Sequence, residues 1–203
     1  MKKKVPTECR LLPLAVLLLA VPSTASAHST VTSLGYFAGG VLHPLTTPTH
    51  LLVLIGLGLI CGQSTPPNLQ KPLSVFIPVS ALALCFTLTG FIKSVYIPIL
   101  VGVALVAGIL IALQISLPWG ITKLLFAAAA MAIGLDSAVE TGNWIIVTKT
   151  LLGTWMCLAV IVGYTGYYIS HFSKKEWQKI GVRVIGSWIT AASLMILAFT
   201  LRR

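Results

Sequence analysis

Charge is what this chain has least of. Charged residues fill 9% of its 203 positions, against about a quarter in a soluble domain, and that excludes a soluble globular protein. Acidic groups are scarcer still, with 4 Asp and Glu against 14 Lys and Arg. The basic residues lie scattered between apolar runs, so they set membrane topology and offer no nucleic-acid-binding surface. Cysteine is confined to Cys9, Cys61, Cys85 and Cys157, which form neither a disulfide framework nor a zinc motif; small buried apolar residues is the reading for the last three. No Gly-x-Ser-x-Gly elbow, phosphate loop, His-Glu-x-x-His or Cys-x-x-Cys pattern occurs, so neither an enzyme nor a tightly bound cofactor is expected. Heptads, long linkers, low-complexity tracts and repeats are missing too, which leaves one domain.

What fills the chain is apolar: 57% of residues are hydrophobic and mean hydropathy is +0.96. The N-terminus has the features of a secretory signal. Lys2, Lys3, Lys4 and Arg10 precede a short apolar core over 11–21, and Ala25-Ser26-Ala27 fits the small-residue cleavage pattern. Eleven residues at 1.5 Å each cannot cross a core of about 30 Å. Residues 1–27 are therefore expected to be removed, leaving 28–203 as a single transmembrane domain with His28 first. Removal takes four basic residues and Glu8, lowering the net charge from +10 to +7.

Four later runs are long enough to span a bilayer, over 72–92, 96–117, 144–169 and 184–201. A fifth, 119–139, spans if Lys123 snorkels to an interface and Asp136 finds a partner. Residues 31–62 are long for one crossing and short for two, and Pro44 and Pro48 interrupt them. Two short helical pieces meeting at a broken centre are expected, with the broken backbone covered by protein or lining a cavity. The fold class is thus all-α: a polytopic membrane helix bundle of about six transmembrane helices (five to seven), with a proline-broken first segment. Lys174, Lys175, Lys179 and Arg183 make 171–183 the basic, cytoplasmic loop. Counting back puts Asp136 and Glu140 at the outer face and the mature N-terminus outside a bacterial-type inner membrane. Arg202 and Arg203 then fall outside as well, which keeps a seven-span arrangement open.

Few polar groups sit inside the apolar sequence, and such groups persist mainly where they face protein, water or an ion. His43 and His50 flank the break, which can aim both imidazoles and freed carbonyls into one cavity; imidazole suits nickel, cobalt, copper and zinc. Capping of short helices is the alternative role. Asp136 and Glu140 stand at i, i+4 on one expected helix face, where two carboxylates repel unless a cation or proton lies between them. An ordinary helix end, or pairing of Asp136 with Lys149, is the alternative there. His28 at a new N-terminus could chelate an ion with its amine and ring together, whereas His171 beside the basic loop is expected in solvent.

The stretch Gly35-Tyr36-Phe37-Ala38-Gly39-Gly40-Val41-Leu42-His43-Pro44-Leu45, followed by His50-Leu51-Leu52, resembles the signature of the HupE/UreJ membrane proteins associated with hydrogenase and urease maturation. In that family a cleaved signal is followed closely by histidine, as Ala27-His28 would give. The region from Gly134 to Glu140 is the counterpart of a later histidine-rich Gly-x-Glu helix. This chain departs from the pattern at Thr49, where the family has aspartate, and at Ile133, Leu135 and Ser137, in place of histidines. The resemblance implies a permease for a divalent metal ion, nickel or cobalt, with His28, His43, His50 and Glu140 at matching positions and Asp136 beside them. The expected partners are the lipid bilayer and the divalent ion. A non-transporting accessory or assembly partner on the same scaffold is the alternative. Intact-mass measurement of purified protein should show the loss of residues 1–27; a retained Met1 would remove His28 from any site.

Overall fold

The computed structural model describes residues 35–64, 69–91, 95, 97–139 and 143–202. Among them are seven α-helices and no strand: α1 (Tyr36–Thr46), α2 (Pro48–Gln63), α3 (Gln70–Thr87), α4 (Ile97–Ala112), α5 (Trp119–Asp136), α6 (Trp144–Phe172) and α7 (Glu176–Leu201). The all-α membrane bundle is as expected. α3, α5, α6 and α7 are each long and apolar enough to cross a membrane, and the pair α1–α2, bent by 77°, adds a fifth crossing if it counts as one. α4 is shorter than the expected span: its 16 residues reach about 24 Å at 1.5 Å per residue.

The helix ends have local causes. Pro44 lies inside α1, and Pro48 occupies the first turn of α2 behind an extended Thr47, so the ladder cannot run through 44–48. α4 ends in a tight turn, with Gln114 at φ 55° and the Ile115 N–H donating to Leu110 O at 3.0 Å. That six-to-one closure satisfies a carbonyl that would otherwise call for another helical residue, and it stops the run short of 117. At the end of α5, the Ser137 hydroxyl donates to Ile133 O at 2.8 Å and its N–H to Gly134 O at 3.3 Å, local bonds that compete with continuation. The expected basic loop 171–183 is mostly helix. α7 starts at Glu176, where Gln178 Oε1 accepts from the N–H groups of Lys174 and Lys175, so Lys179 and Arg183 ride on its first turns.

α2 is the enclosed centre. His50, Val53, Leu54 and Leu57 on it are all fully buried, and it packs against α6 and α4. Around it lie Phe76 of α3 and Phe126 of α5 in an edge-to-face pair 6.5 Å apart, with Leu100, Ile133, Leu158 and Val162. α6 is pinned to α3 by the Trp155 Nε1–H donating to Ile77 O at 3.1 Å. Large apolar side chains such as Leu82, Leu124, Val160 and Trp188 point outward, as lipid-facing residues do and as a water-soluble surface of this extent would not. Cys61 and Cys157 are buried as expected, but Cys85 is exposed because it stands on the outer side of α3. Lys123 reaches back over the Trp119 ring, 5.2 Å from its centroid, which turns its charge toward the start of α5.

α1 and α6 meet backbone to backbone at two points. A Cβ at Gly40 would strike the Thr150 carbonyl of α6, and one at Gly153 would strike the Phe37 carbonyl of α1. Small residues permit such approach in membrane bundles. Substituting Gly40→Val should therefore destabilise the bundle by about 1–3 kcal/mol, read as a lower unfolding temperature in detergent. Gly102→Ala, where nothing lies within 4 Å, should leave that temperature unchanged or slightly raised.

Candidate functional site

The break between α1 and α2 is built around two carbonyl groups. Pro44 has no N–H to give to the carbonyl four residues back, that of Gly40. The Thr154 hydroxyl of α6 lies 3.0 Å from Gly40 O and 3.1 Å from Thr150 O, and supplies a donor from the neighbouring helix. His43 O accepts from the Thr47 N–H at 3.2 Å, from Thr47 Oγ1 at 2.8 Å and from Thr46 Oγ1 at 3.3 Å. The carbonyl at His43 is therefore capped, contrary to the expectation that freed carbonyls would face a cavity, because the threonines after it supply donors. The imidazoles do converge. His43 on the last turn of α1 and His50 on the first turn of α2 have ring centroids 5.3 Å apart with planes at 77°.

His50 is completely buried and its Nε2 lies 3.0 Å from Asp136 Oδ2. Asp136 is the last residue of α5, with its side chain 18% exposed. A carboxylate at a helix C-terminus faces the negative end of the macrodipole, so it needs compensating donors, and it has two. Besides His50, the Val95 backbone N–H donates to Oδ1 at 2.9 Å. One carboxylate thereby joins the start of α2, the end of α5 and the segment leading into α4. Among the described residues three buried side-chain polar atoms have no hydrogen-bond partner: His43 Nε2, His50 Nδ1 and, in α7, Ser193 Oγ. Two of the three belong to the converging rings. A neutral imidazole keeps a lone pair on its unprotonated nitrogen, and such a nitrogen can accept a borderline metal ion or a donor group.

The remaining sequence candidates fare differently. Glu140 and His28 lie outside the described residues. α5 stops at Asp136 and 137–139 are not helical, so the helix expected over 119–139 ends short of its expected limit. Lys149 is exposed, and the partners of Asp136 are His50 and Val95. His171 is exposed, with Nδ1 2.9 Å from Tyr167 O. No group of three or more His, Cys, Asp or Glu that could hold a metal ion occurs among the described residues. Sequence reasoning missed Val95, whose contribution is a backbone amide with no side-chain signature. It also missed Thr154, which was open to inference: Pro44 orphans one carbonyl, and a polar residue on another helix had to serve it.

The opposite end of the bundle, where α2, α4 and α6 finish and α3, α5 and α7 begin, opens into a cleft of about 810 Å³ whose charged lining is Lys71, Lys174, Lys179 and Glu176. The histidines and the lysines thus occupy opposite ends. No curated protein and no solved structure matches the chain. The model of the HupE / UreJ protein family matches residues 15–196. With most of its length matched, and with a proline-broken helix pair placing His43 beside His50, this chain belongs to the HupE/UreJ family of nickel/cobalt accessory membrane proteins.

Proposed function

We propose that this protein is an inner-membrane permease for a divalent transition-metal ion, nickel or cobalt, which enters at the histidine end and sheds water to His43 and His50. The observation that carries this reading is the pair of buried imidazole nitrogens, His43 Nε2 and His50 Nδ1, without hydrogen-bond partners. Leaving such groups unsatisfied in an apolar bundle costs free energy, which an ion would offset. The ring spacing supports it. With metal–nitrogen bonds of about 2.1 Å, ring centroids stand roughly 3.2 Å from the ion, and a near-tetrahedral angle then separates them by about 5.2 Å; the rings here are 5.3 Å apart. Glu140 and His28 are proposed as further ligands at the outer face. Transport would be facilitated or ion-coupled, since no nucleotide-binding motif is present.

A non-transporting accessory role on the same scaffold is the competing reading. It is favoured by the lack, among the described residues, of any three-ligand group that could hold a metal, and by Ile133, Leu135 and Ser137 standing where the family has histidines. Uptake of radioactive nickel and cobalt in a transport-deficient host separates the two. His43→Ala and His50→Ala should each lower uptake by at least about 10–100-fold, the loss typical of changes one layer further out, and Glu140→Gln should impair it. Magnesium, which prefers oxygen ligands, should respond less. Uptake no higher than in the empty host at normal membrane levels would overturn the permease reading and leave the accessory role ahead.

The lysine end is proposed to be cytoplasmic and the histidine end outward, with the mature N-terminus outside. Support comes from Lys71, Lys174 and Lys179 gathering around one cleft. In a background lacking native cysteines, an impermeant thiol reagent applied to intact cells should label a cysteine placed at Asn143 and spare one at Ser173; the reverse pattern would invert the orientation.

A further inference from the structure

We propose that Asp136 is a positioning residue and not a ligand: it fixes His50 with the proton on Nε2, so that the lone pair stands on Nδ1. The inference deepens the metal-permease reading and rests on it for its consequence, but not for its test. An ionised carboxylate only accepts hydrogen bonds, so with Asp136 ionised the 3.0 Å contact with Oδ2 has His50 Nε2 donating. The neutral ring then has one nitrogen left, Nδ1, which is buried and without a hydrogen-bond partner. Histidines that bind metals commonly donate their other ring N–H to a carboxylate, which sets both tautomer and ring orientation.

The second oxygen is engaged too. Oδ1 holds the Val95 N–H at 2.9 Å, and drawing Asp136 onto an ion would release both that amide and the His50 ring. An ion between the rings would therefore meet two neutral nitrogens, with the negative charge one ring away. Such a donor pair favours nickel and cobalt over magnesium and calcium, which require oxygen. Asp136 thus shapes selectivity without touching the ion.

The test uses the full-length protein in lipid nanodiscs with 15N-labelled histidine, the His50 signals being those lost in His50→Gln. The wild type should show His50 protonated on Nε2 alone. Asp136→Ala should release a substantial Nδ1-protonated population, and Asp136→Glu should restore the Nε2–H form in part. With Co2+ alone as the probe, Asp136→Ala should weaken binding by about 10–100-fold, and Asp136→Glu should recover part of that loss. A His50 ring protonated on Nδ1 in the wild type, alone or together with Nε2, would overturn the proposal, as would an unchanged tautomer in Asp136→Ala. Where Asp136→Ala fails to accumulate, the wild-type spectrum decides alone. A wild type that binds no Co2+ or Ni2+, yet whose His50 tautomer follows residue 136, would overturn the metal reading while upholding the positioning.

Discussion

A backbone carbonyl stripped of its helical donor inside an apolar bundle has no water to turn to, and Gly40 O is such a carbonyl. Pro44 creates the deficit, and Thr154 meets it from another helix. The glycines at 40 and 153 make that possible, because they let α1 and α6 approach until a hydroxyl on one reaches a carbonyl of the other. The 77° bend between α1 and α2 is supported by this arrangement together with the threonine caps on His43 O. Buried side-chain atoms without partners stand beside it, at His43 and His50. The break thus gives the Gly40 and His43 carbonyls donors from the protein and leaves imidazole nitrogens without them.

Asp136 gives this local feature a long reach. His50 and Asp136 are 86 residues apart in sequence, and Val95 lies between them on a third segment. A charge-assisted contact of this kind is stronger in a low-dielectric surrounding than at a surface, and breaking one partner leaves the other stranded. The start of α2, the end of α5 and the approach to α4 are therefore held in one geometry by a single carboxylate. Anything that alters the His50 ring is felt at the ends of three helical segments, which suits a site whose occupancy is tied to the packing around it.

Much of the architecture was readable from apolar run length and from proline. Expected spans over 72–92, 119–139, 144–169 and 184–201 correspond to α3, α5, α6 and α7, and Pro44 and Pro48 marked the break. Boundaries went astray where a local hydrogen bond ended a helix inside an apolar run, at Gln114 and at Ser137, because hydropathy does not register such closures. The helix expected over 119–139 ended at Asp136 for the same reason; i, i+4 spacing means adjacency only while a helix continues. Convergence of His43 and His50 was legible, since both flank one break. The pairing of His50 with Asp136 was not. It depends on how α2 and α5 are arranged in three dimensions, and Lys149 was an equally reasonable partner by sequence distance.

α2 also sets an electrical distance. It begins beside the histidines and ends at the lysine-lined cleft, and its 16 residues measure about 24 Å, most of a hydrocarbon core of about 30 Å. A cation resting against His50 would have most of the transmembrane voltage drop still ahead of it. One elementary charge crossing the full field gains about 2.3 kcal/mol per 100 mV, and a divalent ion about twice that. On the proposed orientation, with the cell interior negative, the resting potential by itself would draw such an ion inward from the site and oppose its return.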